Sequence, residues 1–497
     1  MLDLYYPETV RRIEKKLIDG GATETDLISR AAKGVVAHLD KDLSYTVISG
    51  KGNNGADGLC IALSLIESDV SVKVYVVGDS LNAAEKDLFK QCAAKGIVEK
   101  FNENIPVGDV ILDCVFGIGF HGAAEGEYLS AIRFINKNRK IGKKVFSIDV
   151  PSGLDASSGT TCECVKADKT FIIGCLKIGE YLNAAKDAVG ERVFIDIGFP
   201  FIPADARLIE TADVRSVFKK RPCDSNKYDF GFVGILGGSE NFSGAAKLAN
   251  IAACACASGA GVTRLIVGDN IKNYVAPYLL ESTLFTLPSN NEGLKFNADA
   301  LEKAVDKLDV LAVGMGMGNG EETRKTVLFL LENFVGKLII DADGLNAIKD
   351  DVSAFIGAKP KEIVITPHVR EFSRLSGYSD GEIIAEPIKK AKEFAARYGV
   401  KVLLKGPSTV VTDGVNAYIV DRGDAGMATA GSGDVLSGTL AAICGFAEGV
   451  SAVFAAPFIC GVAAEKARDK VSEISHTASD TVAFIKKAIY SVGRDLN

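Results

Sequence analysis

Short apolar runs rich in Val and Ile alternate with helix-like stretches along the whole chain. In the first half the runs fall at residues 46–48, 72–77, 110–113, 145–149, 170–173 and 194–197. Runs of this length without polar alternation suit strands buried on both faces, and their alternation with helices predicts a parallel sheet covered on both sides. Ahead of the sheet, Leu27, Ile28, Ala31, Ala32, Val35, Val36 and Leu39 recur at helical spacing behind Thr25, which the pattern makes the N-cap.

Gly198, Pro200 and Pro203 break the alternation, and a polar stretch follows to Pro222. This places a boundary near residue 212 and divides the chain into 1–212 and 213–497. The second half restarts with apolar runs at 232–236, 262–267, 310–313, 338–341, 363–366 and 402–404. Runs at 409–411 and 416–420 around Asp413-Gly414 read as a hairpin. The stretch 440–464 is apolar apart from Glu448, but Gly445, Gly449 and Pro457 favour two buried helices over a membrane span.

Composition narrows the function classes. The chain has 497 residues, 47% of them apolar and 24% charged, with a formal net charge of −7, and it carries no basic run. That balance gives a core-rich globular protein and favours neither nucleic acid nor an anionic membrane as partner. Eleven cysteines include no C-x-x-C and four histidines show no metal-ligand spacing, so reduced thiols and no zinc site are expected. The first residues hold early acids and no apolar leader core, so a cytoplasmic location is expected.

Three loops of the first half follow apolar runs, where open α/β sheets bind ligands. The first holds Asn53, Asn54, Gly55, Ala56 and Asp57. The second runs from Asp113 through Gly117, Ile118, Gly119, Phe120, His121, Gly122 and Ala123. The third, D-V-P-S-G-L-D, holds Asp149 and Ser152. Asn54, Asp113 and Ser152 offer hard oxygens to a weakly held alkali ion, and Asp149, at a strand end, is the acid/base candidate. Capping or loop-anchoring roles for the two aspartates stay open. The order of these loops resembles the NAD(P)H-hydrate epimerase domain over roughly residues 5–210, with Ala56 where that family usually has glycine. The resemblance implies a Rossmann-like doubly wound sheet and a potassium ion at Asn54, Asp113 and Ser152. It also implies substrate contacts at 53–57, at 117–123 and at Asp149.

In the second half the string G-D-A-G-M-A-T-A-G-S-G-D ends at Asp434 and enters an apolar helix. Amide groups of such a turn, together with the positive helix end, make an anion hole. Asp434 beside it is placed to take a proton from an attacking hydroxyl. Lys405, Gly406, Pro407, Ser408 and Thr409 follow another apolar run, and the lysine and hydroxyls suit phosphate or ribose. A small-residue helix includes Ala245, Gly316 lies in a G-x-G-x-G turn, and His368 lies in T-P-H-x-x-E-F.

This set, with D-A-D-x-L-N at 341–346, resembles the ADP-dependent NAD(P)H-hydrate dehydratase domain, a ribokinase-like fold, over about residues 225–495. The resemblance implies nucleotide contacts at 405–409 and Gly433, and substrate contacts at Ala245, Gly316, His368 and Asp434. It implies ADP as co-substrate, hydrated NADH or NADPH as substrate and a homo-oligomer, and it leaves magnesium open at the dehydratase site. Water added across the nicotinamide ring gives two epimers, so fusion of an epimerase to a dehydratase that takes the S form is chemically coherent. The alternative is a ribokinase-like small-molecule kinase fused to a non-catalytic nucleotide-binding domain.

Overall fold

The computed structural model describes residues 1–78, 83–255, 259–290 and 293–493. They form two compact units, Asp3–Ala206 and Arg207–Asn497, the latter joined by Met1 and Leu2.

The first unit holds a seven-stranded parallel sheet. In spatial order the strands are Val98–Lys100, Val72–Val76, Tyr45–Ser49, Val110–Cys114, Lys144–Ile148, Lys169–Ile173 and Glu191–Ile195. Successive residues of a strand feed opposite faces: Val47 and Leu112 join one apolar cluster, Ile48 and Ile111 the other. From Tyr45–Ser49 the chain winds outward one way, then returns to Val110–Cys114 and winds the other way. The crevice where the order reverses lies beyond the carboxyl ends of these two strands.

The second unit repeats this logic. Its parallel strands run Ser282–Leu287, Val262–Gly268, Phe232–Leu236, Val310–Val313, Lys337–Ile340, Glu362–Ile365 and Lys401–Leu404, followed by the antiparallel Thr409–Thr412 and Ala417–Val420. The reversal lies between Phe232–Leu236 and Val310–Val313. The helices Ser432–Phe446 and Gly449–Val471 pack in the main apolar cluster. Gly449–Val471 is, among the described residues, the one helix long and apolar enough to cross a membrane, and 78% of its most apolar window is buried inside the protein.

Four expectations are corrected. The early helix is Glu24–Val36, capped by Thr23 rather than Thr25, because the Thr23 hydroxyl and the Asp26 carboxylate close a reciprocal capping box. The last strand of the first sheet is Glu191–Ile195 rather than 194–197: it pairs with Lys169–Ile173 at the sheet edge, and Phe194 is half exposed. The strand expected to reach Asp149 ends at Ile148, since Asp149 takes φ 70° and leaves the sheet plane. Pro457 lies inside Gly449–Val471 instead of breaking it.

Candidate active sites at the two sheet reversals

A cavity of about 960 Å³ opens at the reversal of the first unit. Asn53, Asn54, Asp57, Gly117, Ile118, Gly119, Phe120, His121, Ala123 and Asp149 line it, together with Arg11, Glu14, Lys51 and Tyr128. Gly55, Ala56 and Gly122 do not; the Ala56 methyl is fully buried, away from the cavity. Gly52, at φ 95°, turns the chain from the strand into the helix Asn53–Glu67. A side chain at Gly117 would place its first carbon 3.2 Å from Asn54 Cβ and 3.5 Å from Asp149 Oδ2, so this glycine keeps the approach between them open.

Asn54 Nδ2 donates to the Phe116 carbonyl at 2.7 Å, which leaves Asn54 Oδ1 buried with no hydrogen-bond partner. Asp113 is fully buried. Its Oδ1 accepts from Ser152 Oγ at 2.5 Å and Val115 N at 3.3 Å; its Oδ2 accepts from Ser147 Oγ at 2.8 Å and Ser152 N at 2.9 Å. Burial pushes the Asp113 carboxyl above its ordinary range, and these donors only partly offset that. No cationic side chain among the described residues pairs with it.

Asp149 binds the ammonium of Lys177, a residue with 1% side-chain exposure that the sequence reading missed. Lys177 Nζ also donates to the Ile173 carbonyl at 3.0 Å. Burial alone would pull this ammonium down, yet Asp149 and Glu180 hold it above the ordinary lysine value. Lys177 is placed by the short parallel pairing of Leu4 and Tyr5 with Leu176 and Lys177, a contact from the far end of the domain sequence. The available signal was its position: a lone cation shortly after the strand Lys169–Ile173. Burial pushes Glu180 up to about 7, and burial with the charge of Asp149 raises Glu14. His121 Nδ1 bonds Asp155 at 2.8 Å on the rim. Phe120 stacks on Phe116, which in turn meets Tyr128.

In the second unit the turn ending at Gly431, φ 94°, opens the helix Ser432–Phe446 and sets Asp434 in its first turn. This helix lies hard against the small-residue helix Ser243–Ala255: a carbon added at Gly438 would fall 2.0 Å from the Ala249 carbonyl. Burial, followed by the charges of Asp341 and Asp343, pushes Asp434 up to about 7.

Beside Gly433 stand Lys405 and Asp341, whose Nζ and Oδ2 lie 3.7 and 3.8 Å from where its side chain would begin. Lys405 Nζ donates to Asp341 Oδ1 at 2.8 Å and lies 3.8 Å from Glu371. Ser437 Oγ donates to Asp341 Oδ2 at 2.7 Å. Burial pulls against the charge on both partners, but mutual attraction raises Lys405 and lowers Asp341. Lys405 is thus a structured cation, and Asp341 is the hub that the sequence reading quoted without a role.

His368 caps the helix Val369–Ser376: its Nδ1 accepts from the amides of Arg370 and Glu371, so a neutral ring carries its proton on Nε2. Desolvation lowers its pKa. Gly316 and Ala245 come together, with a carbon at Gly316 falling 3.0 Å from Ala245 Cβ and 2.8 Å from Phe242 Cβ. Gly406 and Pro407 are exposed, Thr409 opens a strand, and the Ser408 hydroxyl donates to Asp421 at 2.9 Å.

Comparison with known proteins agrees with this layout. A family model described as NAD(P)H-hydrate dehydratase matches residues 233–487, and one described as YjeF-related protein N-terminus matches 24–179. The chain is 32% identical to the bifunctional NAD(P)H-hydrate repair enzyme of Thermofilum pendens, over 98% of this chain and 97% of that one. It is 30% identical to the enzyme of the same description from Coxiella burnetii, over 97% and 98%. Among solved structures, a ribokinase-like superfamily protein from Enterococcus faecalis covers 59% of this chain and 99% of its own at 20% identity and a TM-score of 0.52. An ADP/ATP-dependent NAD(P)H-hydrate dehydratase from Bacillus subtilis, co-crystallized with ATP/Mg2+, covers 58% and 99% at 24% identity and a TM-score of 0.50. These two likenesses concern the fold of the second unit, which is ribokinase-like. With both family models in order and a 32% identical relative matched over 98% of this chain, the chain belongs to the bifunctional NAD(P)H-hydrate repair enzyme family.

Proposed function

We propose that the second unit dehydrates the S epimer of hydrated NADH or NADPH at the expense of ADP, and that the first unit interconverts the R and S epimers. The observation that carries this is Asp434, raised to about 7 and seated in the first turn of a helix beside Lys405 and Gly433. A hydroxide ion leaves a carbon poorly and a phosphate leaves well. Asp434 takes the proton of the ring hydroxyl, whose oxygen attacks the terminal phosphoryl of ADP. Amides at the turn of Gly431, Ser432 and Gly433 face the charge that develops, and the Lys405 ammonium adds to them. Electrons of the ring nitrogen then expel phosphate, and the adjacent ring carbon gives up a proton to solvent as its electrons restore the ring double bond, which leaves NAD(P)H, AMP and phosphate. Asp341 holds Lys405 in place, and Ala245, Gly316 and His368 border the ring site. The exposed Gly406 and Pro407, with Ser408 and Thr409, border the nucleotide, and any magnesium enters with its phosphates.

In the first unit the donor set suits a monovalent cation in part. Asn54 Oδ1 is a buried oxygen without a partner, and Asp113 is a buried carboxyl without a cationic neighbour among the described residues. Asp113 and Ser152 are already engaged with each other and with neighbouring donors, so direct ligation by either requires one of those donors to turn aside. Potassium there orders the loops around Asn54 and Phe116, while Asp149 moves a proton.

The test mixes the purified chain with each epimer of hydrated NADH and ADP and follows absorbance of the restored dihydronicotinamide. Complete conversion of both epimers is expected. Conversion of the S form alone removes the epimerase half of the reading, and a phosphorylated product that persists replaces the dehydratase half with a kinase.

A further inference from the structure

Asp57, one of the expected substrate contacts, has no chemical step in the reading above. It sits in the helix Asn53–Glu67, is only 9% exposed, and lines the cavity that Asp149 lines. Among the described residues it accepts no hydrogen bond and joins no ion pair, whereas Asp149 holds Lys177. A carboxyl nine-tenths buried and aimed into a cavity without any donor is costly unless it keeps its proton or meets a ligand that supplies one.

We propose that Asp57 is the proton donor of the epimer interconversion, working across the cavity from Asp149 as proton acceptor. The proposal rests on the first unit being the epimerase. Asp57 in its protonated form gives its proton to the hydroxyl on the carbon beside the ring nitrogen. The carbon–oxygen bond breaks, the nitrogen lone pair forms a carbon–nitrogen double bond, and water leaves. A water then attacks the same carbon from the opposite face. Its oxygen forms the new carbon–oxygen bond, its spare proton passes to Asp149, and the double-bond electrons return to nitrogen. One hydroxyl leaves as water and another is supplied by water, so the atoms balance, and proton exchange with solvent resets the two carboxyls. The reverse direction uses the same pair with roles exchanged.

Burial raises Asp57 well above its ordinary range; the charges of Asp149 and Glu14 add to this, and Lys177 opposes it. The nearby thiols of Cys60 and Cys114 are both pushed up, Cys60 by burial and Asp57, Cys114 by burial, Asp113 and Asp57. Asp149 instead has the Lys177 ammonium in contact.

The experiment uses the full chain and the R epimer of hydrated NADH in water enriched in oxygen-18, with epimers separated chromatographically. The wild type is expected to incorporate one labelled oxygen per inversion. D57N is expected to lose about 100-fold or more in kcat, with KM within about threefold and with dehydration of the S form, carried by the other unit, reporting a folded chain. Asp57→Glu is expected to recover part of the rate and to keep the label. D57N interconverting at the wild-type kcat overturns the proposal, as does a rise in KM with kcat retained, or inversion without label. If D57N fails to fold, Asp57→Glu decides: inversion without label, or at the unaltered wild-type kcat, overturns it. A wild-type chain that does not interconvert the epimers removes the underlying epimerase reading instead.

Discussion

Replacing Asp434 by asparagine should abolish dehydration and at the same time make the protein more stable. The carboxyl is mostly buried, and burial with Asp341 and Asp343 moves it from an ordinary 3.8 to about 7. At about 1.4 kcal/mol per pH unit, holding it ionised in the folded site costs up to about 4 kcal/mol. Asp434 is partly exposed, so solvent screens this, and about 2 kcal/mol is the expected net figure. The sign follows from proton binding. Between pH 4 and 7 the folded chain holds a proton here that the unfolded chain has released, so stability falls as pH rises through that window and stays lowered above it. Asparagine keeps the shape and cannot ionise. The gap between Asp434→Asn and wild type should therefore be small near pH 4 and reach its full value above pH 7. For a unit of this size that is a rise in melting temperature of roughly 4 °C at pH 8.5. Thermal melts at both pH values, beside turnover and ADP titration, check it. Turnover should fall by about 100-fold or more while ADP binding persists. A melting gap as large at pH 4.5 as at pH 8.5 would refute the electrostatic argument, and retained turnover would refute the role of the base.

The same base predicts that kcat/KM for the S form falls about tenfold per pH unit below about 7, since the ionised form must be present; a pH–rate profile on the wild type shows it. Lys177→Met should end epimer interconversion and cost the first unit about 3 kcal/mol, because Asp149 is left unpaired near Glu14 and Asp57. Denaturant unfolding reads that loss, while S-form dehydration continues. Gly438→Ala should destabilise the second unit by about 1–3 kcal/mol, because its methyl has the Ala249 carbonyl 2.0 Å away; melting temperature reports it.

The central strands were legible because each is an unbroken apolar run, and burial on both faces leaves no other arrangement for residues such as Val47, Ile48, Ile111 and Leu112. Edge strands gave less signal. Ser282–Leu287 and Glu191–Ile195 are only partly buried, so their composition is mixed and their limits are set by the neighbour they pair with. The glycine turns were legible for a similar reason: Gly316 and Gly431 take positive φ where a side chain would also meet Phe242 or Leu248. Buried charges were not legible. Lys177 and Asp341 are defined by partners 28 and 64 residues distant, and no local pattern in the sequence distinguishes a buried ion pair from a solvated one.

The two sites share a single arrangement of forces. In each, a carboxyl stands near residues that follow parallel strands, Asp57 in the cavity that Asp149 lines and Asp434 near Asp341 and Lys405, and burial with like charges resists its ionisation. In each, a lysine is locked onto a different carboxylate, Lys177 on Asp149 and Lys405 on Asp341. The lock matters because a mobile ammonium would swing to the frustrated acid, neutralise it and drop its pKa out of the useful range. Fixing the cation elsewhere preserves an acid that burial holds above the ordinary carboxyl range. The tight packing of glycine and alanine helices beneath the second site serves the same end, since a helix that cannot shift keeps Asp434 too far from Lys405 to pair. The prediction that distinguishes this from coincidence is Asp341→Asn: freed from its partner, Lys405 should turn to Asp434, pull its pKa below 7, and extend dehydration to lower pH at a reduced maximum rate. An unchanged pH profile would show that Asp341 merely fills space.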